Sequence, residues 1–315
     1  MFTGIFAGIT WALETVFIAI ALSMSPFVSS SEGLLLAPFI STFLHDTISS
    51  VYMLFYNIIK GNLESLLIIF KTKNFKWLVC ASAIGGPIGM TGYTLAVNFM
   101  GASLGAISCA IYPAIGAFLA YVFLKERNKA YQWISLLITL IGVYGISYSP
   151  NLDIKNFWLG LLGAFMCAFG WGIEGVILSK CLKDGEVKSE YILQIRQIVS
   201  SLIYGIIIIP VIGGWRFTAG LFVEENFMVI VVILIAAFFA TLSYLLYYET
   251  IRKTGVSKAM GLNITYTAWA VLFSIVILRD LSVLNPITIG CGIVVVVFGI
   301  LSATDFKELL MRSDK

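Results

Sequence analysis

The sequence predicts an all-α polytopic membrane protein whose ten transmembrane helices form two inverted five-helix repeats. Three observations predict it: the composition, the succession of apolar runs, and matching segments in the two halves of the chain. Of the 315 residues, 59% are hydrophobic and 12% are charged, and the mean hydropathy is +0.97. Soluble domains carry about 25% charged residues, so a soluble protein could not bury this much apolar surface.

Apolar runs long enough to cross a bilayer follow one another along the whole chain. A transmembrane helix needs about 20 predominantly apolar residues. Ten runs meet this length: 3–24, 33–58, 77–99, 103–124, 131–149, 157–180, 192–213, 226–250, 256–278 and 284–303. The first run has no basic segment before it and no obvious cleavage site after it, so we interpret it as a transmembrane helix rather than a signal peptide.

The basic residues predict the orientation of these runs. Of the twenty Lys and Arg residues, sixteen fall in or beside alternate loops (those after the second, fourth, sixth and eighth runs) and the C-terminal tail. The opposite loops hold three, and the last, Arg196, lies inside the seventh run. Because cytoplasmic loops are enriched in Lys and Arg, we predict a multi-pass protein of the inner (plasma) membrane with both termini in the cytoplasm.

The two halves of the chain repeat each other. Trp11, Glu14 and Val16 recur with the same spacing as Trp171, Glu174 and Val176. Further matches pair residues 101–112 with 255–266 without gaps, Tyr93 with Tyr247, Glu126 with Asp280, and HDTISS (residues 45–50) with RQIVSS (196–201). The matches keep one order along the chain, which indicates an internal duplication.

An odd number of helices in each half sets the architecture. With five spans per half, the second copy enters the membrane from the opposite side, as in inverted-repeat secondary transporters with a site near mid-membrane. We predict a first repeat at 1–149, a connecting loop at 150–156, a second repeat at 157–304 and a cytoplasmic tail at 305–315.

Two carboxylates stand inside predicted spans. Trp11 and Glu14 are three residues apart and share a helix face, as do Trp171 and Glu174. The two-fold axis that relates two inverted repeats would turn both pairs towards one cavity. A charge at mid-bilayer costs about 2.5–3.5 kcal/mol on insertion scales, which favours a functional role. Such a pair can hold one proton and release it when a cation arrives. Alternatively, either carboxylate hydrogen-bonds a neighbouring helix.

Aromatic residues accompany these acids. Ring faces attract quaternary ammonium ions, which offer no conventional hydrogen-bond donor. We therefore predict a substrate site made of Trp11, Glu14, Tyr93, Tyr112, Trp171, Glu174, Tyr247, Tyr266 and Trp269. The alternative for any one aromatic residue is packing, since membrane proteins use many aromatic side chains.

The only histidine, His45, stands beside Asp46 in the second run. Adjacent side chains point about 100° apart on a helix, so we expect one to face the cavity and the other a neighbouring helix. Histidine titrates near neutral pH, which suits a proton relay. Arg196 either pairs with an acid such as Asp46 or binds a substrate anion. Proton coupling or ion pairing is thus assigned to Glu14, His45, Asp46, Glu174 and Arg196.

The sequence lacks the residue patterns that metal-binding proteins and intramembrane enzymes require. A lone histidine without a cysteine cluster is poor in metal ligands, and intramembrane enzymes need nucleophile–base or metal clusters. The net charge of +3 gives no reason to expect a nucleic-acid partner. We predict no enzyme activity, no catalytic residue, no metal and no cofactor. The expected partners are a small-molecule substrate, protons and the lipid bilayer.

Several segments carry a family resemblance. These are WALETV (11–16), YTLAVNFMGASLGAI (93–107), FLKER (123–127), GVYGIS (142–147) and GWGIEGV (170–176). With ten spans and basic loops, they resemble the drug/metabolite transporter superfamily, EamA type, whose members carry amino acids, sugars, nucleotides, amines and drugs. Residues 37–61 are similar to the branch that contains bacterial choline permeases. His45 and Asp46 depart from that superfamily, which often has a basic residue there.

These observations predict a secondary active transporter of a small organic cation, with choline or a related quaternary amine as the leading candidate. We expect proton coupling and alternating access around a mid-membrane site between the repeats. The alternative is an exporter of amino acids or of another neutral or zwitterionic metabolite, in which Arg196 meets a substrate carboxylate.

Overall fold

The fold is a bundle of ten long apolar helices. A computed structural model describes residues 1–148, 154–183, 185, 187–281 and 284–305, without the side chains of 102 and 103. It is 85% helical, and the described residues form no strand. Its membrane-spanning helices are α1 Phe2–Ser23, α2 Ser31–Ile59, α3 Phe75–Met100, α4 Leu104–Leu124, α5 Ala130–Ser147, α6 Phe157–Lys183, α7 Ser189–Val211, α8 Glu224–Thr254, α9 Val256–Leu278 and α10 Pro286–Ala303. The predicted all-α polytopic class is confirmed.

The observed helix ends differ from the predicted runs by a few residues. The largest difference is at α8, which continues to Thr254 where the apolar run stops at 250. A helix does not have to end where the hydrocarbon does, and the last two turns of α8 carry Glu249 and Arg252 in an ion pair. Most of the predicted connecting loop (150–156) and nearly all of the predicted tail (305–315) lie outside the described residues.

Among the described residues, three helices contain a wider, π-helical turn: α3, α7 and α9, where it covers Ser274–Leu278. In α3 it covers Ile84–Ile88 and includes Pro87, and in α7 it covers Tyr204–Ile208. Proline has no backbone N–H to donate, so the regular hydrogen-bond ladder cannot continue through Pro87. Such turns occur frequently at functional sites, and the α3 turn lies beside the site described below.

The helix contacts follow a two-fold pattern. Helix α1 packs on α8, and α6 packs on α3, which is the same contact after the two halves are exchanged. The pairs α2 with α7, α4 with α9 and α5 with α10 are unchanged by that exchange. Two repeats related by a two-fold axis would give these contacts, and the repeat boundaries stay a prediction.

The backbone repeats the same pattern at two tight connections. Gly101 between α3 and α4 has φ 80° and ψ 160°, and Gly255 between α8 and α9 has φ 87° and ψ 169°. Side chains rarely tolerate this region, so each connection requires glycine. Helices α4 and α9 also end alike, with Lys125 at φ 57° and Arg279 at φ 56°. Each pair is 154 residues apart, the offset found in the sequence.

Polar and apolar side chains are distributed as a bilayer requires. The outer surface carries large exposed apolar residues such as Phe6, Leu137 and Ile207. Ionisable residues, including Asp46, Glu174 and Arg196, are buried among the helices instead. A charged group inside a membrane protein must be paired or face a cavity, so these buried residues mark the site.

Candidate functional site

A cavity lies between α1, α4, α6, α8 and α9. Six of the nine predicted substrate-site residues line it: Trp11, Tyr112, Trp171, Glu174, Tyr247 and Tyr266. The sequence prediction did not include four further polar or aromatic lining residues: Ser243, Tyr244, Tyr248 and Asn263. The polar and apolar side chains of α8 are not segregated to opposite faces, so periodicity alone gave no signal for its inward face.

The other three predicted residues are not part of the cavity lining. The ring of Tyr93 stacks behind Trp171 with centroids 6.2 Å apart, so it supports a residue that does line the cavity. Trp269 is on α9, with a buried indole N–H that has no hydrogen-bond partner. Glu14 faces α2 instead, where it meets His45.

The aromatic rings of the lining form two equivalent pairs. Trp11 meets the Tyr266 ring edge-to-face at 6.4 Å, and Trp171 meets the Tyr112 ring edge-to-face at 5.2 Å. The duplication relates each member of one pair to a member of the other. Trp11 also contacts Tyr244 at 4.9 Å. Edge-to-face contacts fix the orientation of each ring, which gives the cavity a firm aromatic wall.

The π-helical turn of α3 positions Glu174 and Trp171. The Trp171 indole Nε1 donates a hydrogen bond of 3.1 Å to the carbonyl oxygen of Gly85. A methyl group added at Gly85 would overlap the Glu174 carboxylate, and one added at Gly89 would come within 2.9 Å of the indole. Two glycines therefore let α6 bring its acid and its indole directly against α3.

Arg196 binds Glu174 and is deeply buried. Its Nε lies 3.2 Å from Glu174 Oε1, and its Nη1 donates to Gln197 Oε1 at 2.8 Å. The guanidinium carbon lies 4.7 Å from the centroid of the Tyr244 ring. The Arg196 side chain is only 2% exposed. A buried guanidinium needs this degree of pairing to offset the loss of water.

Asp46 is the second acid bound by Arg196. Arg196 Nη1 lies 3.4 Å from Asp46 Oδ1 and 3.3 Å from Oδ2, and the Ser200 hydroxyl donates to Oδ2 at 2.5 Å. His45 Nδ1 lies 2.9 Å from Asp46 Oδ1. Neither His45 nor Asp46 lines the cavity. The adjacent residues bond each other and contact different helices.

Glu14 completes the chain of polar contacts. Its Oε1 lies 3.8 Å from His45 Nε2, and its Oε2 accepts a hydrogen bond of 3.3 Å from the Thr15 hydroxyl. His45 Nε2 is buried and has no hydrogen-bond partner. The five residues predicted for proton coupling or ion pairing are thus in one connected cluster. Their functional role stays a prediction.

The cluster consists of two equivalent polar circuits. The N-terminal circuit runs through Glu14, His45, Asp46 and Ser200. The C-terminal circuit runs through Glu174, Arg196, Gln197 and Ser49. In each circuit, a carboxylate faces a basic side chain. That side chain bonds the next residue in sequence, and this next residue bonds a serine of the opposite repeat. The alignment of HDTISS with RQIVSS places Ser49 opposite Ser200, but neither serine was singled out in the sequence.

A carboxylate also joins three helices at the end of the bundle that carries the basic loops. Glu126, just after α4, accepts hydrogen bonds of 3.3 Å from the backbone N–H groups of Val256 and Ser257 at the start of α9. Lys183 at the end of α6 lies 2.8 Å from the same carboxylate. The cavity residues Leu178 and Met260 are only four or five positions away in sequence. This junction therefore lies about one helical turn from the cavity, on the side of the basic loops.

Comparison with known proteins agrees with this architecture. Protein LicB of Haemophilus influenzae is 25% identical over 227 residues, which covers 70% of this chain and 75% of LicB. An uncharacterized transporter of Clostridium kluyveri is 23% identical over 228 residues, or 71% of this chain and 70% of that protein. A solved crystal structure superposes with a TM-score of 0.69 over 99% of this chain and 98% of the other, at 16% identity, which shows a shared fold.

The family assignment rests on a match over nearly the whole chain. The profile of the EamA-like transporter family matches residues 1–148 and again residues 158–304. Members of this family are membrane transporters, in agreement with the ten spans and the central cavity. The chain belongs to the EamA-like transporter family and is a multi-pass membrane transporter of the drug/metabolite transporter superfamily.

Proposed function

We propose that the protein is a secondary active transporter of a small organic cation, with choline or a related quaternary amine as its substrate, coupled to protons. One observation carries the proposal: the cavity combines a single carboxylate, Glu174, with a mostly aromatic wall. Seven of its thirteen lining residues are Trp or Tyr, and none of the described lining residues is basic.

The chemistry of a quaternary ammonium ion fits this lining. Its methyl groups carry no conventional hydrogen-bond donor, so recognition depends on ring faces that attract the positive charge. Glu174 supplies the compensating negative charge in a cavity largely removed from water. Because the local dielectric constant is low, a charge pair there is worth more than it would be at the surface.

Two polar atoms in the lining suit the hydroxyl group of choline. The Tyr248 hydroxyl and Asn263 Oδ1 are buried and have no hydrogen-bond partner, and both residues line the cavity. Buried polar groups without a partner are costly, so a ligand hydroxyl that pairs with them gains affinity. This supports a substrate with one cationic end and one hydroxyl end.

The placement of Arg196 argues against the amino-acid exporter. That alternative needs a free guanidinium to meet a substrate carboxylate. Arg196 does not line the cavity. Its guanidinium already donates hydrogen bonds to Glu174, Asp46 and Gln197. A substrate carboxylate would also approach Glu174, and the like charges would repel each other. These observations favour the cation.

In the transport cycle that we propose, the repeats alternate around the central cavity, so that it opens to one side of the membrane at a time. With both termini in the cytoplasm of the inner membrane, the junction at Glu126 closes the cytoplasmic side. Opening that side then requires Glu126 to leave the start of α9.

A thermal-shift screen followed by a transport assay tests the proposal. Purified protein should be stabilised by choline, and less or not at all by neutral amino acids. Proteoliposomes should then take up labelled choline faster than empty vesicles under at least one pH gradient. Stabilisation by zwitterions alone, with no choline uptake, would favour the amino-acid exporter instead.

A further inference from the structure

We propose that the coupling proton is held between Glu14 and His45, at a site separate from the organic-cation cavity. Asp46 and Arg196 link this proton site to Glu174. The inference rests on the proposed function and extends it, because it assigns the cation and the proton to different carboxylates.

The hydrogen bonds around His45 leave room for a proton. Arg196 and Ser200 both donate to Asp46, so its carboxylate is an acceptor and His45 Nδ1 carries the N–H that bonds it at 2.9 Å. In a neutral ring, Nε2 is then an acceptor as well. It faces Glu14 Oε1 at 3.8 Å and has no hydrogen-bond partner. Two acceptors face each other, and a proton between them makes the contact attractive.

The comparison with the C-terminal circuit shows which half can take up that proton. Arg196 occupies the place of His45, and a guanidinium stays charged at every accessible pH. Gln197 occupies the place of Asp46 and has no charge. Of the two equivalent acid–base pairs, only Glu14 with His45 can therefore gain or lose a proton on its basic partner.

The charges that surround His45 explain why one proton and one organic cation are exchangeable. The charged groups facing it are Glu14 from α1, Asp46 beside it on α2, and Arg196 from α7, over which Tyr244 of α8 lies. Together with Glu174 there are three carboxylates and one permanent cation. With His45 neutral the cluster carries two negative charges in excess, and either a proton on His45 or a cation beside Glu174 leaves one. Replacing the proton by the cation therefore keeps the net charge of the cluster constant.

Arg196 transmits occupancy from one site to the other. Asp46 Oδ1 accepts from His45 Nδ1 at 2.9 Å and lies 3.4 Å from Arg196 Nη1. An organic cation beside Glu174 competes with Arg196 for that carboxylate. Arg196 then turns further towards Asp46 and displaces the His45 bond. The proton leaves Nε2 by way of Glu14, whose side chain is more exposed than that of His45, 13% against 8%.

The single histidine makes a direct spectroscopic test possible. In protein that carries no histidine tag and is labelled with ¹⁵N-histidine, every ring signal belongs to His45. We expect the ring nitrogens to pass from the neutral to the protonated pattern as the pH is lowered. Choline should lower the protonated fraction at a fixed pH, with a threefold or larger change in proton affinity. Glu174→Gln should abolish this response to choline and keep the titration.

Two results would overturn the inference: a ring that does not titrate, or a ring that choline does not affect in protein shown by calorimetry to bind choline. An absence of choline binding in that calorimetry defeats the proposed function instead, so the two failures are distinguishable.

A transport measurement provides the second test. His45→Arg gives the N-terminal circuit the fixed cation of its counterpart. We expect a tenfold or larger loss of choline-driven proton flux, read with an internal pH dye, and choline–choline counterflow that stays above the background of empty vesicles. His45→Gln, with no charge at all, should lose the flux in the same way and covers the case in which the arginine variant does not fold. Proton flux at the wild-type level in both variants would overturn the proposal.

Discussion

The N-terminal and C-terminal circuits occupy equivalent places in the two repeats but differ in the group that faces each glutamate. Glu174 is bound by a guanidinium at 3.2 Å and lines the aromatic cavity, whereas Glu14 faces an imidazole at 3.8 Å and does not line it. The duplicated scaffold thus presents two acids in different surroundings, one bound by a fixed cation and one facing a titratable base. We expect the fixed pair to serve the substrate charge and the titratable pair to serve the proton.

The largest effect is expected from removing the cation that joins the two circuits. Arg196→Met leaves Asp46 and Glu174 as buried carboxylates without their partner, a change that typically costs about 3 to 5 kcal/mol. His45→Gln should cost much less, because Asp46 keeps Arg196 and Ser200. Thermal unfolding in detergent measures both. Equal destabilisation by the two variants would contradict the view that Arg196 is the fixed centre of the cluster.

The second effect separates the two glutamates. Glu174→Gln should weaken choline binding by about 100-fold, since truncating a buried charge partner costs about 2 to 5 kcal/mol. Glu14→Gln should change the choline Kd by less than about threefold. Isothermal titration calorimetry measures both values, and Glu249→Gln at the exposed end of α8 is the matched control. Similar losses at positions 14 and 174 would show that the circuits are not divided as proposed.

The third effect tests how α3 holds the C-terminal circuit. A methyl group at Gly85 overlaps the Glu174 carboxylate, so Gly85→Ala should displace that carboxylate and weaken choline binding by about tenfold. Gly290→Ala on α10 is the control, because nothing lies within 4 Å of the added carbon. That control should bind choline like wild type. Unchanged binding in the Gly85 variant would remove α3 from the site.

The smallest effect concerns the hydroxyl end of the substrate. Tyr248→Phe should weaken choline binding by about fivefold, the value of one ordinary hydrogen bond of about 1 kcal/mol, and leave tetramethylammonium binding unchanged. Tyr191→Phe is the control: its hydroxyl is also buried without a hydrogen-bond partner, but Tyr191 does not line the cavity. Equal losses for both ligands would mean that Tyr248 contributes by packing alone.

Much of the fold could be predicted from the sequence, because a membrane span is specified by length and apolarity along the chain. The pairing of Arg196 with Asp46 was one of two open alternatives, since duplication placed both residues on facing helices. Which side chains each buried ionisable residue would contact was harder to predict from the sequence. Spacing within α1 puts Trp11 and Glu14 on one face, but it does not tell that His45 of α2 reaches Glu14 before the cavity does. That outcome depends on how the helices pack.

The cavity wall was predictable where the two halves repeat each other and not elsewhere. Trp11 and Trp171 were found through the duplicated spacing, and both line the cavity. Tyr244 and Tyr248 have no counterpart that the alignment singled out, and α8 has no distinct polar face that would mark them as inward-facing. The role of Gly85 was equally hidden, because a glycine in a membrane helix is compatible with ordinary packing.

The central claim, that substrate charge and proton occupy different glutamates, is tested most directly by the protons released when choline binds. Calorimetry in buffers of different ionisation enthalpy gives this number for wild type and for His45→Gln. We predict release in wild type, and in His45→Gln no release with a choline Kd within about threefold of wild type. Proton release that persists in His45→Gln at the wild-type level would contradict the account, because the proton would then reside at Glu174 with the substrate.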